Sequence, residues 1–269
     1  MIPKIIHQTW RTDTLPEIFQ HIYDKNKELN PEFEFRLWNH KNNESDIDIL
    51  IKEEFNEIYN IYNNTRFGVQ KADIARLAIL YKYGGVYFDL DIMAIKPIND
   101  LIDYNSNTVY VALEPKEQTL KIFNSDKVLC NAFIATPPKN PLFKIALENI
   151  KTAYYINGNN IYNMFNFFGA GLISHTLLNN DINCNYIDSK LIYPINDPKF
   201  NDLSCSKKDW NMLKKGDYNN AYMVHYWIHS DFESKKLIEK FKFDKNKNIH
   251  DNIYQFFKEL YPSNFYLAE

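Results

Sequence analysis

KADIARLAILYKYGGVYFDLDI, residues Lys71 to Ile92, carries a helix, a stop and a strand in one run. Ala72, Ala75, Leu77, Ala78 and Leu80 supply apolar packing at helical spacing, which predicts a helix from about Val69 to Tyr83. Gly84 and Gly85 end it, because glycine takes the positive φ of a C-terminal cap without a steric penalty. VYFDLDI follows at once as a strand, in which alternation puts Tyr87, Asp89 and Asp91 on one face and Val86, Phe88 and Leu90 on the other. Two carboxylates therefore converge at a strand end. One helix earlier, Asp73 and Arg76 share a face, where the simplest reading of their spacing is a local ion pair on a solvated edge.

Working outward, Ile2 to Thr9 and Phe33 to Trp38 read as strands, with a helix over Pro16 to Leu29 between them. Ile47, Leu50, Ile51, Phe55, Ile58 and Ile61 predict one helix over residues 46 to 62. Strands follow at Thr108 to Leu113 and Asn131 to Thr136, where PPKNP turns the chain into a helix from about Leu142 to Tyr155. Ala221 to Trp227 is strand-like, and Ser234 to Phe243 and Asp251 to Leu260 are short amphipathic helices. Alternating strands and helices imply a three-layer α/β domain, a Rossmann-like and mainly parallel sheet flanked by helices, with ligands at the carboxyl ends of its strands. Residues 1–269 read as a single domain, with 234–269 a helical extension packed on it.

The composition narrows the function. The 269 residues are 45% hydrophobic and 24% charged, which fits a packed globule and excludes disorder, collagen and coiled coil. A formal net charge of -3 supplies no global basic field for nucleic acid, so an anionic ligand has to be held locally. Cys130, Cys184 and Cys205 are odd in number and without CxxC spacing, which argues against a disulfide framework or a zinc site. No apolar run reaches a membrane span and no signal-peptide pattern stands at the start, so the expected location is the cytoplasm.

Neighbouring carboxylates flanked by Val, Phe, Leu and Ile repel each other and lose hydration, so Asp89 and Asp91 need a cation or protons between them. Oxygen ligands suit Mn²⁺ or Mg²⁺, which complete their shells with water and phosphate oxygens. A metal-dependent phosphohydrolase of the haloacid dehalogenase kind also uses two aspartates spaced this way, but expects Thr or Val where Met93 stands. A non-catalytic sugar-binding domain is a third reading.

IPKIIHQTW (Ile2 to Trp10), together with the Lys71 to Ile92 stretch, resembles the DXD-containing sugar-binding region of glycosyltransferase family 32. That family includes fungal alpha-1,6-mannosyltransferases and is distantly related to the bacterial glucosylating toxins. NAFIATPPKNPLF (Asn131 to Phe143) is similar to the family's Asn-containing segment, and HYWIHSDF (His225 to Phe232) to its closing His, Trp and Ser element. The resemblance implies a GT-A fold and retaining transfer of a hexose from a UDP- or GDP-linked sugar to a hydroxyl acceptor on a glycan or other molecule, with Mn²⁺ or Mg²⁺. It also implies roles. Asp91 binds the metal directly, Asp89 meets the metal and the ribose, Asp73 receives sugar hydroxyls, and Arg76 reaches the sugar and diphosphate. Trp10 stacks on the base, its alternative being an ordinary core residue, and Asn131 joins the donor site. His225 is favoured over His229 to complete the metal shell, with Ser230 as a phosphate contact; in an extended segment the two histidines face the same way. His7 reads as structural, and Tyr154, Tyr155, Tyr162, Phe165, Phe167 and Phe168 as packing before an acceptor platform.

Overall fold

The computed structural model describes residues 1–39, 45–65, 68–125, 127–157, 168–200, 206–229 and 232–261. Two sheets organise it. The larger has six strands in the order β2-β1-β3-β6-β5-β7, built from β1 (Ile5–Trp10), β2 (Glu34–Asn39), β3 (Gly85–Phe88), β5 (Val109–Leu113), β6 (Leu129–Thr136) and β7 (Cys184–Ile187). The pairs β1–β2, β1–β3 and β5–β7 are parallel, and only β6 runs against its neighbours. The second sheet is a short antiparallel pair of β4 (Ile92–Ala94) and β8 (Met223–His225).

Side-chain alternation on β3 divides the core into two layers. Val86 and Phe88 pack with Ile6, Phe133 and Ala112, against Ile18, Phe19 and Ile22 of α1 (Glu17–Leu29) and the tail residues Ile253, Phe256 and Phe257. Tyr87 faces the other way, with Ile134 and Val111, toward α4 (Gly68–Tyr83). Also on that side are α2 (Asp46–Glu54), α3 (Asn56–Asn64), α6 (Pro141–Asn157) and α7 (Ala170–Leu178). The chain further forms α5 (Lys116–Phe123), α8 (Ser189–Ile192), α9 (Lys207–Lys215), α10 (Phe232–Lys240) and α11 (Ile249–Leu260). No helix of the described residues is long and apolar enough to cross a membrane.

Three expected elements differ. The helix expected over residues 46 to 62 is two helices, because Phe55 leaves helical geometry at φ -141 and buries its ring against the second core layer. The strand expected through Ile92 ends at Phe88: Ile92 N–H bonds back to Asp89 C=O at 3.0 Å, so Leu90 and Asp91 lie in a turn. Its continuation, β4, pairs with β8 rather than entering the large sheet. The strand expected over Ala221 to Trp227 is confined to Met223–His225, since Trp227 takes φ 55. Gly84 and Gly85 do end α4, at φ 62 and 90. A Cβ on Gly85 would stand 2.6 Å from the Ile5 carbonyl of β1, so only glycine permits β3 to lie this close.

His7 ties β1 to that glycine turn. Its Nε2 donates to Gly84 C=O at 2.9 Å, and its Nδ1 accepts from Trp38 Nε1 at 3.1 Å. A second ring proton would meet the indole N–H head-on. Burial, partly opposed by the Gly84 bond, lowers its pKa from 6.5 to about 4. The unfolded chain therefore binds more protons than the fold between those values. Stability is full above the unfolded pKa and falls as pH drops through the window, by about 3 kcal/mol from this residue. Urea unfolding of wild type and His7→Gln from pH 7 to 4 should differ by this loss, the variant keeping one donor and one acceptor, whereas buried carboxyl groups with raised pKa values act in the opposite sense in both proteins. A slope shared by wild type and variant would assign the acid sensitivity to other groups.

Candidate active site

The site lies where β1, β3 and β5 end and antiparallel β6 begins, as the carboxyl-end rule requires. Asp73 and Arg76, one turn apart on α4, are not a surface pair: both side chains are 5% exposed, because α4 packs over Tyr87 and β6. Arg76 forms ion pairs with Asp73 at 3.1 Å and Asp89 at 3.3 Å and donates to the Asn131 carbonyl at 2.5 Å, with its guanidinium 4.6 Å from the centre of the Tyr87 ring. Asn131 Nδ2 donates to Asp73 at 2.8 Å, so this residue of β6 grips both members of the pair. Burial raises the Asp73 pKa to about 6 despite the facing Arg76. Burial works to lower that of Arg76, but Asp89, Tyr87 and Asp73 outweigh it and drive it up, which keeps the guanidinium charged.

Asp89 is held from several sides. Its N–H donates to Ala132 C=O at 3.0 Å, its carbonyl accepts from Gln8 at 3.4 Å, and its carboxylate accepts from Tyr87, which also meets Thr9 at 3.1 Å. The carboxylate is nevertheless 31% exposed, the open edge of the group. Burial raises its pKa, with Arg76 opposing.

Asp91 is buried beneath a strap formed by residues 225–229. Its Oδ2 accepts from Ile228 N–H at 2.7 Å and lies 3.2 Å from His225 Nε2, while its carbonyl accepts from Tyr226 N–H at 3.0 Å. Burial pushes the Asp91 pKa up, but His225 and the Ile228 N–H reverse that and hold it low. Burial likewise pushes His225 down, and Asp91 more than restores it. The register of β4 with β8 sets Ile92 opposite His225, and this pairing brings a residue so distant in sequence onto the turn.

Asp89, Asp91 and His225 each offer one ligand atom, all within 4.8 Å of one another. Two carboxylate oxygens and an imidazole nitrogen at this spacing suit a divalent cation. Among the described residues, His225 Nδ1 and Arg76 Nε are buried without a hydrogen-bond partner, which leaves donor and acceptor capacity in the site.

The remaining expected residues divide. Trp10, at the end of β1, is half-buried, edge-on to Phe19 at 5.0 Å and with Arg11 5.6 Å from its ring centre. His229 does not share a face with His225: the left-handed Trp227 reverses the chain, and His229 meets Asp197 at 2.8 Å instead. Ser230, Cys205, Tyr162, Phe165 and Phe167 lie outside the described residues. Phe168 is buried in the core and Tyr155 is exposed. The sequence did not single out Glu114 or Asp197, although Glu114 follows β5 at the same sheet end as Asp89, a position that a strand-end search would have flagged.

Fold and site together define a GT-A-type scaffold. Residues 16–108 match the family model described as "Glycosyltransferase sugar-binding region containing DXD motif". The matched stretch carries Asp73, Arg76, Asp89 and Asp91. It is 34% identical over 103 residues to inositol phosphoceramide mannosyltransferase 3 of Schizosaccharomyces pombe, covering 38% of this chain and only 28% of that protein. Over 213 residues it is 28% identical to uncharacterized glycosyltransferase L373 of Acanthamoeba polyphaga mimivirus, covering 76% of this chain and 77% of the relative. Its fold resembles the UDP-bound glycosyltransferase domain from the YGT toxin, with TM-score 0.52 and 10% identity, covering 100% of this chain and 99% of that domain.

Proposed function

We propose that this protein is a metal-dependent hexosyltransferase, moving a sugar from a UDP- or GDP-linked donor to a hydroxyl acceptor. The observation that carries this reading is the Asp89, Asp91 and His225 trio set directly beside the buried Asp73, Arg76 and Asn131 network. In this reading Asp89, Asp91 and His225 hold Mn²⁺ or Mg²⁺. The cation supplies positive charge next to the diphosphate, whose negative charge grows as the bond to the sugar breaks.

The protein's own groups do the rest. Arg76 is a fixed positive charge at the rim of that diphosphate, held charged by two carboxylates, so it stabilises the leaving group without having to reorganise. Asp73, oriented by Asn131, accepts sugar hydroxyls and fixes the ring relative to the bond that breaks. Transfer with retention fits front-side attack, because among the described residues no carboxylate is placed as an evident nucleophile and the leaving phosphate can assist removal of the acceptor proton. Likeness to the fungal mannosyltransferase favours mannose, and likeness to the UDP-bound toxin domain keeps UDP beside GDP as the donor base.

Trp10 provides the base platform in this proposal. Trp10→Ala should weaken nucleoside diphosphate binding by about 1–3 kcal/mol, while Trp10→Phe, which keeps an aromatic face, should retain most of it. Calorimetric titration with UDP and GDP in Mn²⁺ decides the point. Equal affinities for all three proteins would return Trp10 to the core.

A further inference from the structure

At the same end of the sheet as the metal trio lies a second polar group to which the donor reading assigns no role. Glu114 follows β5, and β5 runs parallel to β3, so Glu114 and Asp89 stand at the same end of the sheet with β6 between them. Glu114 is half-buried, packed near Cys130, Gln118, Asp197 and His225, and burial raises its pKa to about 7. Gln118 Oε1 accepts from the Asp197 N–H at 2.9 Å. Asp197 is buried, and its carboxylate takes the Lys199 N–H at 2.9 Å and the His229 ring at 2.8 Å. Asp197 thus holds His229 through Nε2, fixing the tautomer in which Nδ1 is the hydrogen-bond acceptor. The His229 side chain is 30% exposed and begins one residue after Ile228, whose N–H clamps Asp91.

Two further features mark this side of the trio. The buried Nδ1 of His225, whose ring lies 5.5 Å from that of Tyr193, has no hydrogen-bond partner. Trp227 holds a left-handed backbone, unusual for a bulky residue, pinned by its Nε1 donating to Ile195 C=O at 3.1 Å. Trp227 stands between His225 and His229, and His229 pairs with Asp197.

Resting on the transferase reading above, we propose that Glu114 and the Asp197-held His229 form the acceptor subsite, which takes the vicinal hydroxyls of a sugar or cyclic polyol. In this proposal the carboxyl group of Glu114 and the Nδ1 lone pair of His229 both receive O–H donors beside the trio. A hydroxyl-rich ring held there would present one oxygen to the sugar carbon next to the cation, and the remaining hydroxyls would satisfy the carboxyl group and the imidazole.

The test is nuclear magnetic resonance of the full chain with labelled histidine rings, in Mg²⁺ and UDP or GDP, titrated with myo-inositol and separately with methyl α-D-mannopyranoside. The His225 resonance reports nucleotide and metal, and so tests the transferase reading in the same sample. The His229 resonance reports the polyol. At least one polyol should shift His229 saturably, and Glu114→Gln should weaken that response by about tenfold or more. If nucleotide shifts His225 but neither polyol shifts His229, or if Glu114→Gln leaves the polyol response unchanged, the acceptor subsite is wrong while the donor site stands. If nucleotide fails to shift His225, the transferase reading itself fails.

Discussion

Arg76→Ala is expected to destabilise the fold by about 3–5 kcal/mol, the characteristic penalty for removing one partner of a buried ion pair. Asp73 would be left 5% exposed with Asn131 as its remaining partner, and Asp89 would lose its nearest cation. The Asn131 carbonyl and the face of Tyr87 would lose a donor and a cation as well. Arg76→Lys is the more informative change. An ammonium cannot reach Asp73, Asp89 and the Asn131 carbonyl together, because those contacts use the fork of the guanidinium. Turnover should fall at least about tenfold, or ~1.4 kcal/mol in transition-state stabilisation. On the solvated edge that the spacing suggests, Lys in place of Arg76 would leave the melting temperature nearly unchanged. The burial of the pair overturns that expectation, and Arg76→Lys should lower the melting temperature too. Wild-type melting and kinetics for the Lys variant would show that the buried network contributes to neither.

Asp91→Asn should separate stability from function. The amide oxygen of Asn can still accept from Ile228 N–H, and the backbone bond to Tyr226 is untouched, so the strap over the turn should persist and the stability lost should be confined to the pair with His225. The lost charge is what a divalent cation needs. Turnover should fall by about 10²–10³, comparable to removing a preorganised electrostatic stabiliser from an active site. Mn²⁺ affinity should fall with it. An Asp91→Asn protein that turns over normally would remove Asp91 from the metal site, whereas one that fails to fold would make its role structural.

How much of this was legible in the sequence depended on the range of the interactions. The helix through Asp73 and Arg76, its stop at Gly84 and Gly85 and the strand into Asp89 are local, set by periodicity and by glycine's positive φ, and they stand as read. Asp91 converges on Asp89 as expected, but through a turn, because Ile92 leaves the large sheet to pair with His225. Nothing within the run from Lys71 to Ile92 encodes that departure. It is fixed by a strand more than a hundred residues away in the chain. The break at Phe55 was hidden for a related reason, since a continuous apolar period does not show that one ring is worth more in the second core layer than in a longer helix. Trp227 was the least legible residue. A left-handed backbone is expected of Gly or Asn, and only the surrounding contacts hold a Trp there.

The central claim is metal-dependent transfer from a nucleotide sugar, and the most direct test measures nucleoside diphosphate release from UDP- and GDP-linked hexoses with Mn²⁺ and again in EDTA. The account predicts release from at least one of these donors in Mn²⁺, its loss in EDTA and its return on adding Mn²⁺ back. Release that persists in EDTA after metal removal is verified, or no release from any donor by folded protein in Mn²⁺, would contradict it.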